Sequence, residues 1–152
     1  MKQLVIIFLV GMISLKAFSQ DQNSIKLQSS ATFILTKTAN NRYDCKLADI
    51  KKLDSNPDET GDQFLKRKVD SNQVKLFFFR GKFGNGTATL LIIKSGLSTP
   101  LAYNARIKRE GSDEFGTTDV MPLLPNVKST EEWPYNLDEI ILDNFAVFNT
   151  KM

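Results

Sequence analysis

Apolar and polar residues alternate along much of the chain after residue 24, and this two-residue period is typical of β-strands with one buried face. The regular example runs from Leu101 to Arg109, where the inward positions are Leu101, Tyr103, Ala105 and Ile107. The same alternation covers Ser24–Lys37 and Arg42–Leu47, so both segments are predicted to be strands. Long helical periodicity is missing, which indicates a mainly β protein.

Two neighbouring segments break the alternation, because they are apolar at successive positions. Val74–Phe83 contains Leu-Phe-Phe-Phe, and Thr87–Lys94 contains Leu-Leu-Ile-Ile. Strands of this kind are buried on both faces, so we expect both at the centre of a sheet or at a dimer contact. Asn85-Gly86 between them predicts a β-hairpin with a tight Asn-Gly turn.

The C-terminal third predicts two further strands. Proline residues limit the first, a short strand over Val120–Leu124. The second is the final strand, Glu139–Asn149, which the polar pair Asp143 and Asn144 interrupts. Such an interruption indicates a β-bulge or an exposed sheet edge, so Asp143 and Asn144 are candidates for an edge that binds a partner.

These segments add up to about seven or eight strands, separated by turn signals at the spacing found in all-β domains. The predicted fold is therefore an antiparallel β-sandwich of immunoglobulin-like type. A small β-barrel is the alternative, because strand number alone does not separate the two. Residues 20–152 are predicted to form this single domain.

The first 19 residues have the pattern of a secretory signal peptide. A basic start at Lys2 precedes an apolar run from Leu4 to Leu15, and small residues follow at Ala17 and Ser19. Twelve helical residues span about 18 Å, against about 30 Å for the hydrocarbon core of a bilayer. We therefore expect cleavage after Ser19, a secreted or periplasmic product, and no stable membrane anchor.

Composition excludes several chemistries. The 152 residues include no histidine and one cysteine, which removes Ser-His or Cys-His catalysis and zinc sites built from these residues. We expect no cofactor and no metal site. The net charge is +3, and it falls to about +1 when Lys2 and Lys16 are removed, so nucleic acid is not an expected partner. Cys45 is predicted to face inward as a small apolar side chain.

One segment has residues suited to ligand binding. Trp133-Pro134-Tyr135 is predicted to lie in a loop before the last strand, followed by Asn136 and Asp138. Exposed aromatic rings stack on the apolar faces of sugars, while amides and carboxylates bind sugar hydroxyls. The favoured interpretation of Trp133 is nevertheless structural: a lone tryptophan in a small β-domain usually belongs to the core, and here it would close one end of the sandwich.

Three functions remain open at this point. The favoured hypothesis is an exported non-enzymatic β-domain that binds a protein partner through an apolar patch or an unpaired strand edge. The second is a carbohydrate-binding module that uses Trp133 and Tyr135 on a polysaccharide. The third is a small hydrolase with two carboxylates, for example Glu131 with Asp138, although such side chains are common on surfaces.

Overall fold

The computed structural model describes residues 23–54, 66 and 68–149, and these residues form nine strands and one short 3₁₀ turn. The predicted signal peptide lies outside the described residues. No helix in the described part of the chain is long and apolar enough to cross a membrane. In chain order the strands are β1 (Ser24–Lys26), β2 (Ser29–Lys37), β3 (Tyr43–Lys52), β4 (Gln73–Phe83), β5 (Gly86–Ser95), β6 (Leu101–Arg109), β7 (Phe115–Thr118), β8 (Lys128–Trp133) and β9 (Leu137–Val147).

The strands form two antiparallel sheets, which confirms the predicted β-sandwich. The four-stranded sheet has the order β1-β9-β6-β7, and the five-stranded sheet has the order β3-β2-β4-β5-β8. The chain crosses from the first sheet to the second between β1 and β2, where Gln28 takes a φ of 60°. A single antiparallel bridge between Arg42 and Ala146 joins the sheets at one corner.

The inward faces of the two sheets form one apolar core. Its largest fully buried side chains come from both sheets and from the connections between them: Phe33, Phe78, Phe145, Ile25, Leu76, Leu91, Ile93, Leu101, Leu123, Leu137 and Ile140. Tyr103 stacks on Phe145 with ring centroids 5.8 Å apart. The predicted inward residues of Leu101–Arg109 all belong to this core, so the alternating pattern placed β6 correctly.

The doubly apolar segments are interior strands of the five-stranded sheet, as predicted. Leu76 and Phe78 of β4 enter the core, whereas Phe77 and Phe79 are buried in a second cluster with Ala88 and Leu90. The hairpin is also present, but its turn residues are Gly84 and Asn85 rather than Asn85 and Gly86. Gly84 has a φ of +56°, and glycine takes this first central position in type II′ turns.

Three sequence predictions in the C-terminal half were wrong. Residues 120–124 form no strand and contribute only an isolated bridge between Leu123 and Leu101. Trp133 is not in a loop, because it is the last residue of β8. The final strand, β9, is not the outer strand of its sheet, because β1 pairs with residues 139–141 on the side opposite β6.

Candidate functional site

Trp133 occupies the core rather than a binding surface. Its side chain is 5% exposed and packs within the main apolar cluster. The indole Nε1 donates a hydrogen bond to Thr118 Oγ1 on β7 at 3.1 Å, which satisfies its one polar atom. A ring in this position cannot stack on a sugar without leaving the core, so the structure places Trp133 as an end plug of the sandwich.

A buried threonine fixes the turn that follows Trp133. Thr89 of β5 is fully buried, and its Oγ1 donates to the carbonyl oxygen of Tyr135 at 2.8 Å. The same Oγ1 accepts a hydrogen bond from the backbone N–H of Leu137 at 3.3 Å. One side chain therefore satisfies backbone groups on both sides of the turn, and the position of Tyr135 is set from within the sheet.

Tyr135 lies at the wall of an open pocket of about 340 Å³. The guanidinium carbon of Arg109 stands 4.2 Å from the centroid of the Tyr135 ring, a cation–π arrangement that covers one face of the ring. Phe115, Ser112 and Glu114 also line the pocket. The pocket thus combines two aromatic rings with a cation, a hydroxyl and a carboxylate.

The two polar members of the predicted site differ in position. Asn136 lies at the same corner as Arg109, since its Nδ2 donates to the Glu110 carboxylate. Asp138 is half-buried on β9, and its backbone carbonyl accepts a hydrogen bond from Leu27 at 2.8 Å. The turn therefore brings Tyr135 and Asn136 together, and it leaves Trp133 on the core side of the sheet.

Asp143 and Asn144 form the predicted bulge. The pairing of β9 with β6 shifts register here, and Asn144 takes a φ of +54°. Arg106 donates to one Asp143 oxygen through Nε at 3.2 Å and through an amino nitrogen at 3.1 Å. Asn144 donates to the other oxygen at 3.0 Å. The Asp143 carboxylate is therefore occupied within the chain, while its suggested role in binding a partner stays a prediction.

Cys45 has the properties of a structural cysteine. It is half-buried on β3 and packs against the main core. Burial, with a smaller contribution from the nearby Asp143 carboxylate, raises the pKa of the thiol to about 12. The thiol therefore stays protonated at neutral pH and is a poor nucleophile, since the thiolate is the reactive form.

Glu131 of β8 is a carboxylate whose surroundings raise the pKa above its ordinary value. Burial raises its pKa, and a hydrogen bond from the Met121 N–H at 2.8 Å acts in the opposite direction. This carboxylate is not among the groups that line the pocket beside Tyr135. No group of three or more Cys, Asp or Glu side chains that could hold a metal occurs within residues 23–54 and 68–149. The hydrolase hypothesis stays a prediction.

A surface that the sequence did not indicate lies on the connection between β7 and β8. Met121, Leu124 and Val127 are 67%, 52% and 50% exposed, which makes them three of the five most exposed large apolar side chains described. They follow one another at intervals of three residues, and Pro122 and Pro125 stand beside them. We call these three side chains the apolar ridge. Large apolar side chains exposed within one short segment are candidates for a protein interaction surface.

The backbone beneath the apolar ridge is held at several points. Leu123 is fully buried and exchanges two hydrogen bonds with Leu101, at 2.8 and 2.9 Å. The N–H of Asn126 donates to Ser95 at 2.9 Å, and Met121 N–H is bound by Glu131 as described above. The ridge is therefore presented by an ordered segment and not by a loose loop.

A tight turn aims the last part of the ridge outward. The Val127 N–H donates to the Leu124 carbonyl at 3.3 Å, and Asn126 takes a φ of +59°. Proline at the second position and a positive φ at the third are the features of a type II turn, which Pro125 and Asn126 provide. The exposed positions of Leu124 and Val127 thus follow from local turn chemistry.

The sequence contained a signal for this surface that strand patterning obscured. A proline every third residue removes the ladder hydrogen bonds that a strand requires. Apolar residues that remain between such prolines cannot all turn inward, because the segment cannot follow the pleat of a sheet.

No protein-family model, curated protein or solved structure matches this chain.

Proposed function

We propose that this chain is an exported, non-enzymatic β-sandwich that binds a protein partner through the apolar ridge. The observation that carries the proposal is the outward placement of Met121, Leu124 and Val127, each at least half exposed, on a backbone held by hydrogen bonds. A surface that is already ordered loses little conformational entropy on binding. The N-terminal signal-like segment supports export.

Site-specific photo-crosslinking tests the binding surface. A photoreactive residue at position 124 should give an adduct of one defined size in cells that produce the chain. The same residue at Thr130, an exposed position of β8, serves as the control and should give none. Adducts of equal yield from both positions, or from neither, would contradict the proposal.

A matched pair of variants asks whether the apolar character of the ridge matters. Met121→Ser with Val127→Ser should abolish the adduct from position 124. Ile50→Ser removes an exposed apolar side chain of comparable exposure, 46%, from β3 and should leave the adduct unchanged. Equal losses in both would assign the effect to general surface hydrophobicity.

Export is tested separately by the N-terminus of the mature chain. We expect mass spectrometry of the exported protein to find Gln20 as its first residue. A chain that stays in the cytoplasm with residues 1–19 intact would overturn the exported part of the proposal and leave the binding surface open.

Carbohydrate binding is a second candidate, now supported by the pocket rather than by Trp133. The pocket beside Tyr135 contains aromatic and polar groups, and its volume of about 340 Å³ accommodates one sugar ring. Tyr135→Ala should then abolish polysaccharide binding in an affinity gel, whereas Leu124→Ser should not. Binding that survives Tyr135→Ala would remove this candidate.

A further inference from the structure

We propose that a second pocket, at the opposite end of β6 from Tyr135, binds a sugar ring that bears a carboxylate group. The pocket has a volume of about 350 Å³ and adjoins residues 97–99, which lead into β6. Tyr135 lies at the other end, against Arg109, the last residue of β6. A strand of nine residues is about 27 Å long, so the two pockets are separate sites. This inference does not rest on the proposed function, because it uses neither the apolar ridge nor Tyr135.

The walls of this pocket come from four parts of the chain that are tied together. They are the end of β2, the start of β3, the turn before β4 and the connection between β5 and β6. The Leu35 N–H donates to the Asn72 carbonyl oxygen at 2.8 Å. Gly96 approaches the backbone of residues 69–70 so closely that a β-carbon would collide with their carbonyl oxygens. The walls are therefore held in place before any ligand binds, which lowers the entropic cost of binding.

The pocket has an apolar base. Leu35 and Leu97 line it, are 4% and 5% exposed, and belong to the main core. Tyr43 is half-buried beside them, and its phenol oxygen lies 3.5 Å from Thr99 Oγ1. Each hydroxyl has one proton and two lone pairs, so this single long contact leaves both able to bond to a ligand.

Short polar side chains surround this base. Ser71, Asn72 and Ser98 line the pocket and are exposed to solvent. Hydroxyl and amide groups donate to and accept from sugar hydroxyls, while apolar surface contacts the C–H face of the ring. Small-molecule pockets have volumes of about 300–1,000 Å³, and this pocket lies at the lower end of that range. The arrangement therefore favours a single polyhydroxylated ring.

Lys37 indicates the charge of the ligand. It is the charged side chain of this pocket, and no Asp or Glu is among the described residues that line it. Within the described part of the chain, the Lys37 ammonium makes no ion pair or side-chain hydrogen bond. A carboxylate can therefore pair with it without displacing an internal partner, and charge-assisted hydrogen bonds are stronger than neutral ones. The pocket beside Tyr135 differs, because Glu114 lines it together with Arg109.

Isothermal titration calorimetry of the full exported protein with methyl glucuronide and methyl glucoside tests the proposal. The two compounds differ only in a carboxylate in place of a hydroxymethyl group. We expect the dissociation constant of the glucuronide to be at least about tenfold lower, and added sodium chloride to reduce this difference. Equal affinity for the two compounds, or binding of neither, would overturn the inference.

Matched variants assign the binding to the pocket. Lys37→Met should remove the preference for the glucuronide. Lys46→Met removes an exposed lysine of β3 that does not line the pocket, and it should leave the preference unchanged. Ser98→Trp fills the pocket from an exposed position and should abolish binding, which tests the site independently of its charge. Equal effects of Lys37→Met and Lys46→Met would assign the binding to general surface charge and would overturn the inference.

The outcomes separate this inference from the two functions proposed above. Binding that is lost in Ser98→Trp and kept in Tyr135→Ala supports the new pocket, and the reverse result overturns it. Displacement of the glucuronide by an equal concentration of inorganic sulfate would show that the pocket recognises an anion without the sugar ring, which also overturns it. A protein that binds neither compound can still give the adduct from position 124, so partner binding stands or falls by its own test.

Discussion

The turn after β8 and the apolar ridge between β7 and β8 use apolar side chains in opposite ways. In the sequence, Trp133 and Tyr135 were candidates for a binding surface, with a core position favoured for the tryptophan; the tryptophan is buried, and Arg109 covers one face of the tyrosine ring. Met121 and Leu124 fell within the short strand predicted over Val120–Leu124, but they and Val127 lie in no strand and are exposed. Both regions are held by hydrogen bonds to neighbouring strands. Side-chain type therefore does not decide which region faces solvent; the direction of the backbone does.

The largest effect on the free energy of unfolding is expected at Trp133, the buried member of this comparison. Trp133→Ala should lower the free energy of unfolding by about 3–5 kcal/mol, since it removes a buried aromatic side chain and leaves a cavity. Guanidinium denaturation gives the value, and Trp133→Phe should cost less because it keeps most of the volume. In the wild type, Trp133 fluorescence should be blue-shifted and protected from acrylamide. A Trp133→Ala protein as stable as the wild type would indicate that the indole lies at the surface.

A smaller effect is expected where Thr89 holds the turn. Thr89→Val keeps the shape of the side chain but leaves the Tyr135 carbonyl and the Leu137 N–H without this buried partner. We expect a loss of about 1–3 kcal/mol in urea denaturation. Thr89→Ser retains the hydroxyl and should lose less than Thr89→Val. Equal stability of Thr89→Val and wild type would mean that the turn does not depend on this hydroxyl.

The free energy of unfolding is expected to depend on pH through the charged face of the four-stranded sheet, which belongs to neither of the two regions compared above. A hydrogen bond from Ser24, and then the ion pair with Lys108, lower the pKa of Glu139 below its ordinary value of 4.5. The ionised carboxylate therefore contributes stability above the unfolded pKa, and this contribution is lost as the pH falls through the lower folded pKa. Denaturation between pH 7 and pH 3 should show a smaller decline for Glu139→Gln than for the wild type. Equal declines in the stability of the variant and the wild type would exclude Glu139 as a source of the acid sensitivity.

The smallest effect is expected on the ridge itself. Leu124→Ser should change the free energy of unfolding by no more than about 0.5 kcal/mol, because the side chain is already half exposed. Urea denaturation at low protein concentration isolates this value from association. A loss comparable to that of Trp133→Ala would show that Leu124 is a core residue, and the contrast between the regions would fail.

Much of the fold was predictable because burial on one face imposes a two-residue period. β6 was predicted with its observed bounds, and β4 and β5 were recognised as interior strands from their double apolar pattern. β8 was missed because its inward positions before Trp133 are Ser129 and Glu131, which carry no apolar signal. Glu131 can lie there because the Met121 N–H satisfies its carboxylate.

The candidate site was predictable only in part. The sequence identified Tyr135 and Asn136 as neighbours in a turn, but Arg109 and Glu110 come from the end of β6 and meet them only through the pairing of β6 with β9. The bulge at Asp143 and Asn144 was predicted from two polar residues inside an apolar strand. Its partner Arg106 became visible only with the register of the sheet.

The sequence alone determined the class of structure, because the alternation of apolar and polar residues and the presence of a hairpin depend on local physics. It also determined the lack of histidine chemistry. Tertiary structure decided which apolar residues are buried, since β8 directs Trp133 inward while the bonds of Leu123 and the turn at Pro125 direct Leu124 outward. Burial is a property of how distant strands meet: Pro122 and Pro125 argue against a strand over residues 121–127, but they do not say which apolar residues of the segment face solvent.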